Sequence, residues 1–236
     1  MKTKITNPFK TLSKFELSLW LGSRALITVV FALGEKFDIL VLIASLIGAT
    51  ALIFVSKGDP FGQILTVVFA LFYAVISYRL RYFSEMITYL GMTSPAAISA
   101  TVEWFKNPFE KGKAEVEVKK LSKKACIILW ILTALVTVAF FFILKALNTP
   151  NLFWSTLSVT ASFLASALTY LRSPFYALAY STNDIILIIL WSIASFGDRS
   201  YVPMVVCFVI FLINDSYGFI NWQRMKKRQN DIKSKK

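Results

Sequence analysis

An all-α integral membrane protein with about eight transmembrane helices is predicted by three features of the chain. Apolar residues make up 56% of it and charged residues only 17%, so a soluble fold would leave long apolar stretches without cover. Those stretches recur as eight runs of the length that crosses a bilayer. The Lys and Arg residues, 26 against 13 Asp and Glu, gather in the segments before, between and after the runs.

Taken in order, the runs are residues 15–33, 37–55, 61–78, 83–104, 125–147, 152–171, 175–196 and 201–222. The first follows a basic N-terminus but lacks a small-residue cleavage pattern, so it reads as a retained helix. An even number of crossings puts both termini on one side. Assigning that side to the cytoplasm collects 20 of the 26 basic residues there, including seven in 106–124 and seven after Trp222. Five fall outside, at Lys36, Arg79, Arg81, Lys145 and Arg199, and Arg24 lies within the first run. Trp20, Trp104, Trp154 and Trp222 then fall near the membrane interfaces, where indole rings act as anchors. The 106–124 segment alternates in sign and reads as a solvated loop or surface helix.

Runs two to four are echoed by runs six to eight. Ser56-Lys57-Gly58-Asp59-Pro60-Phe61 resembles Arg172-Ser173-Pro174-Phe175, and Val102-Glu103-Trp104 resembles Ile220-Asn221-Trp222. The offset drifts only from 114 residues at the prolines to 118 at the tryptophans. Two three-helix bundles of like orientation need a connector that itself crosses, which run five supplies. The expected organisation is a cytoplasmic N-terminus and extra helix (1–36), a first bundle (37–104), a charged linker and crossing helix (105–151), a second bundle (152–222) and a basic tail (223–236). Such parallel repeats are a transporter plan, with the solute held between the halves.

Two Asn-Asp pairs stand inside apolar runs, Asn183-Asp184 and Asn214-Asp215. A carboxylate at the middle of a membrane helix costs about 2.5–3.5 kcal/mol or more to insert, so such residues face a polar cavity or a solute path. Asn183 lies nine residues past Pro174 and Asn214 eight before Trp222, which puts both roughly 12–14 Å from the cytoplasmic face. Hydroxyls at Ser155, Ser158, Ser162, Ser166 and Thr169 recur on one face of the sixth helix, and Gln63, Thr66, Tyr73 and Ser77 on one face of the third. Thr66 to Tyr73, Ser162 and the Met92-Thr93-Ser94-Pro95 stretch reach the same level, and Pro95 frees a backbone carbonyl there. Glu85 reads as an interfacial partner of Arg79 and Arg81, and Arg24 as a snorkelling or paired side chain without a functional role. Neutral hydrogen-bonding groups beside aromatic rings suit a ring-bearing, hydroxylated solute.

Several function classes fall away. The chain has no histidine, which removes histidine bases, triads and His metal sites. Cys126 and Cys207 sit within apolar runs as small packing residues. The basic tracts follow membrane topology, not nucleic acid. No cofactor or ATP site is expected, since a Gly-x-x-x-x-Gly-Lys-Ser/Thr loop is lacking. No base, nucleophile and metal converge as an intramembrane enzyme requires, and a scaffold or receptor gives no reason for carboxylates at the midplane.

Trp104-Phe105-Lys106-Asn107-Pro108, Ser181-Thr182-Asn183-Asp184 and Asn214-Asp215-Ser216-Tyr217-Gly218 with Asn221-Trp222 together resemble the Pnu family of vitamin transporters, most of all its PnuC-type nicotinamide riboside transporters. The resemblance spans roughly residues 37–228. It implies two three-helix bundles joined by a crossing helix, similar to sugar transporters of the SWEET type, and facilitated diffusion of nicotinamide riboside across the bacterial cytoplasmic membrane. It also implies trapping of the product by a separate cytoplasmic kinase, and homotrimers. Asn183, Asn214, Asp215 and Tyr217 match positions expected against the solute. Many members carry an amide or Thr followed by Trp where this chain has Ser166-Ala167, so Tyr73, Tyr217 or Trp191 is expected to supply the ring face. The full expected substrate set is Asn183, Asp184, Asn214, Asp215, Tyr217, Trp191, Tyr73, Thr66, Gln63 and Ser162, with Asp184 or Asp215 meeting the pyridinium charge. A thiamine or riboflavin transporter, or a proton-coupled carrier using the same aspartates, are the alternatives.

Overall fold

A computed structural model describes residues 7–79 and 83–235. Arg81 and the basic residues of 1–6 lie outside the described residues. Seven of the described helices are long and apolar enough to cross a membrane: α1 (Lys14–Leu33), α2 (Ile39–Ser56), α3 (Pro60–Arg79), α6 (Lys123–Ala146), α7 (Leu152–Tyr170), α8 (Tyr176–Gly197) and α9 (Val202–Ser234). The 83–104 run is also helical, but in three pieces: α4 (Phe83–Thr88), a π-helical turn (Tyr89–Thr93) and α5 (Ser94–Lys106). Pro95 has no N–H to continue the α-helical ladder, and Ser94 N–H reaches back five residues to the Tyr89 carbonyl.

Local chemistry sets the helix starts. Ser13 and Glu16 form a reciprocal capping box on α1, Asp38 accepts from the Leu40 and Val41 amides of α2, and Ser122 caps α6. Pro60 and Pro203 stand in the first turns of α3 and α9, where a missing N–H costs nothing.

Six helices close a ring in which α2 packs on α3, α3 on α5, α5 on α7, α7 on α8, α8 on α9, and α9 back on α2. The two bundles α2–α3–α5 and α7–α8–α9 therefore meet along two equivalent seams. The crossing helix α6 leans on α7 from outside the ring, and α1 lies in the groove between α2 and α9. Polar side chains hold α1 there: Trp20 Nε1 donates to Thr50 Oγ1 at 3.0 Å, and the Arg24 guanidinium lies over the Trp20 ring and donates to the same hydroxyl. Glu16 joins Lys57 at 3.0 Å and the Tyr217 hydroxyl at 2.9 Å.

The end of the ring nearest the described N-terminal residues and the α9 tail, here the basic face, is packed shut. Trp104 and Trp222 are 1% and 0% exposed, with ring centroids 5.4 Å apart, and so are not the interfacial anchors that sequence alone suggests. Their indole N–H groups are satisfied inside the protein, which removes the need for an interface. The linker is a loop exposed over much of its length, as expected, but it is pinned to the ring. Val116 is fully buried, its N–H donates to Gly58 O at 3.0 Å, and Lys119 N–H donates to Arg172 O at 3.0 Å. The linker thus straps the α2–α3 turn to the α7–α8 turn, at residues that share left-handed backbone (φ 67° and 56°) and the 114-residue offset. The tail of α9 covers the strap through Gln229, which bonds the Val116 carbonyl, the Val118 amide and Glu115.

Candidate functional site: a chamber between the bundles

The ring encloses a chamber whose wall combines aliphatic and aromatic side chains with neutral polar groups and three acidic ones. From the first bundle come Gln63, Thr66, Phe69 and Tyr73 of α3, together with Tyr89 and Thr93 of the π turn. A helix that widens to a π turn shifts the side chains beyond it around the axis, and here the turn itself forms wall. From the second bundle come Ser155, Ser158, Ser162 and Ser166 of α7, Tyr180, Asn183, Asp184 and Trp191 of α8, and Asp215 of α9. Toward the face opposite the basic one, the chamber continues into a vestibule that shares Tyr73, Glu85, Ser155 and Trp191 with it and reaches Lys36 and Asp198. Glu85 accordingly faces the pathway.

The two carboxyls of the Asn-Asp pairs meet. Asp184 and Asp215, both 4% exposed, lie within hydrogen-bonding reach of each other, and Asp184 Oδ2 has no donor among the described residues. An ionised carboxylate only accepts, so a direct bond between the two requires a proton on one of them. Beside it, Asn183 Oδ1 accepts from Ser158 Oγ at 2.8 Å, and its Nδ2 has no protein partner among the described residues. Tyr180 exchanges a hydrogen bond with Ser166 at 3.2 Å. No Lys or Arg is among the described lining residues, and the chain has no His.

Of the ten residues expected from sequence, the structure brings eight to this chamber: Asn183, Asp184, Asp215, Trp191, Tyr73, Thr66, Gln63 and Ser162. Asn214 and Tyr217 are elsewhere. Asn214 Nδ2 donates to Ser23 Oγ of α1 at 3.0 Å and to Ile210 O at 2.8 Å, and Tyr217 donates to Glu16. Successive helical residues diverge by about 100°, so Asp215 facing the chamber turns Asn214 toward α1. Tyr217 lines a cleft on the basic face instead, with Glu16, Lys57 and Arg224. Sequence reasoning missed Tyr180 and Tyr89. Tyr180 precedes Asn183 by three residues and Asp184 by four, a spacing that shares their helix face and was open to reading. Tyr89 carries no such signal, because its direction depends on the π turn.

A two-bundle ring around a polar chamber, open toward one face and sealed at the other, defines a membrane solute transporter and not an enzyme. The sequence profile described as "Nicotinamide mononucleotide transporter" matches residues 38–224, and the chain belongs to that family. It is 27% identical over 220 residues, 91% of this chain and 81% of the relative, to the nicotinamide riboside transporter PnuC of Neisseria mucosa. The PnuC of Haemophilus influenzae is 24% identical over 192 residues, covering 81% and 82% of the two chains. A crystal structure of the vitamin B3 transporter PnuC superposes with a TM-score of 0.79 at 24% identity, over 92% of this chain and 94% of that one, and shares its fold.

Proposed function

We propose that the chain carries nicotinamide riboside by facilitated diffusion into the bacterial cytoplasm, with the basic face and both termini inside. The choice of riboside over mononucleotide rests on one observation: the described chamber wall holds the Asp184–Asp215 pair and Glu85 but no cationic side chain. A pyridinium ring gains from a carboxylate or a π face, whereas a phosphate entering this wall would meet like charge without a compensating cation. Asp184 and Asp215 oppose the pyridinium charge, Tyr73 and Trp191 cover the ring, and Asn183, Gln63, Thr66 and Ser162 bond the carboxamide and the ribose hydroxyls. Asn214 and Tyr217 instead seat α1. Phosphorylation by a separate kinase would trap the product, since the chamber excludes the phosphate just added. The working unit is a homo-oligomer, a trimer by family resemblance.

Uptake by proteoliposomes tests this reading with radiolabelled nicotinamide riboside against nicotinamide mononucleotide, thiamine and riboflavin. Saturable riboside entry, uncompeted by the mononucleotide and unchanged by a collapsed proton gradient, is expected. Preferred entry of the mononucleotide, or entry only with an inward proton gradient, would overturn it.

A further inference from the structure

The seal at the basic face is one contact made twice. Trp222 Nε1 donates to Val55 O at 2.9 Å, and Trp104 Nε1 donates to Thr169 O at 3.0 Å. Val55 and Thr169 are 114 residues apart, the offset of the repeat prolines, while Trp104 and Trp222 are the two ends of the 118-residue offset. Each bundle's closing indole thus crosses a seam and bonds a carbonyl in the last turn of the other bundle's first helix. Carbonyls in a final helical turn lie outside the i→i−4 ladder and have capacity for an external donor. In a bilayer, lipid is as apolar as these rings, so burial alone gives no reason to bring them together. The two indole bonds and close packing do.

Position adds to this. Val55 is part of the chamber wall, so the pair lies directly beneath the cavity. Tyr180, also in the wall, meets Tyr176 with ring centroids 6.2 Å apart, and Tyr176 meets Trp222 at 4.9 Å. An occupant touching Tyr180 is therefore two ring contacts from the seal.

We infer that Trp104 and Trp222 form a reciprocal latch that gates the chamber at the basic face, an assignment that rests on the transport reading above. Rocking one bundle against the other draws Trp222 from Val55 and Trp104 from Thr169 in one motion, so the bonds break together. An indole suits both requirements of the site: its plate excludes water and its only polar group is a donor.

The test uses a reporter thiol in the chamber, Ser162→Cys with Cys126→Ala, labelled by a membrane-impermeant reagent in vesicles exposing the basic face. A parallel preparation that keeps Cys126, in the first turn of α6 at the basic end, reports vesicle orientation. Trp104→Phe and Trp222→Phe each keep a ring and lose the donor. Each is expected to speed labelling from the basic face about fivefold, the factor for one net hydrogen bond, without speeding it from the opposite face. Labelling at the parent rate, a response from only one tryptophan, or equal gains from both faces would overturn the latch. If one variant fails to fold, the other decides alone. Riboside flux through the unsubstituted protein is measured alongside: its loss would sink the substrate reading, whereas normal flux with unchanged labelling would sink the latch.

Discussion

The two bundles make matching seam and linker contacts at the basic face and are unlike at the level of the chamber. At the face, each supplies one tryptophan, one acceptor carbonyl and one left-handed turn for the linker, in matching positions. Higher up, the first bundle gives an amide, hydroxyls, aromatic rings and Glu85, while the second gives the serine face of α7, Asn183 and both members of the aspartate pair. Symmetry thus falls where the latch is proposed to open, where equal and opposite displacements would need equal contacts. Asymmetry falls in the wall proposed to hold the solute, and a nucleoside, the solute proposed, has no twofold axis.

The sharpest way to break this comparison is to remove the aspartate pair that only the second bundle carries. Asp184→Asn with Asp215→Asn is expected to cut riboside uptake at least about tenfold, in line with the loss of a buried charge partner. Unchanged uptake would mean that the pair does not oppose the ring charge. Next is a packing difference. A Cβ on Gly62 would stand 2.4 Å from the Val55 backbone nitrogen and 2.8 Å from the Phe54 carbonyl carbon, while the position 114 residues on carries the large ring of Tyr176. Gly62→Ala should therefore destabilise the purified protein by about 1–3 kcal/mol as an overpacked contact, read from its unfolding midpoint in detergent. Wild-type stability would show that the α2–α3 turn can yield.

A smaller effect separates neighbours on α9. Asn214→Leu removes the bond to Ser23 and is expected to lower stability by about 1 kcal/mol with riboside uptake retained. Abolished uptake in a folded, membrane-inserted variant would return Asn214 to the solute path. The smallest effect lies at the opposite face, where Lys36 Nζ meets Asp198 Oδ2 at 2.9 Å. The Lys36 and Ser200 hydrogen bonds lower the Asp198 carboxyl to about 2. Because this is below the unfolded value of about 3.9, the pair's contribution is complete above that value and fades as pH falls through about 2. Lys36→Ala should leave the pH dependence of unfolding between 5 and 8 unaltered, since the carboxyl stays ionised throughout. A slope appearing in that window would contradict the assignment.

Sequence by itself determined the helical membrane class, because apolar run length has few other solutions in this composition. It also revealed the repeat, through paired turns and closing tryptophans, and placed Ser155 to Ser166 on one face of α7 by spacing alone. What only tertiary structure decided is which way ambiguous groups point. Asn214 and Asp215 are both polar, and whether α1 or the chamber receives each depends on where a peripheral helix docks. A tryptophan's amphipathic ring suits a membrane interface and a buried bond to a carbonyl alike, so Trp104 and Trp222 were resolved only when Thr169 and Val55 came across the seams to meet them. Helical periodicity is a local property, whereas the identity of the neighbour on each face depends on contacts between residues more than sixty positions apart along the chain.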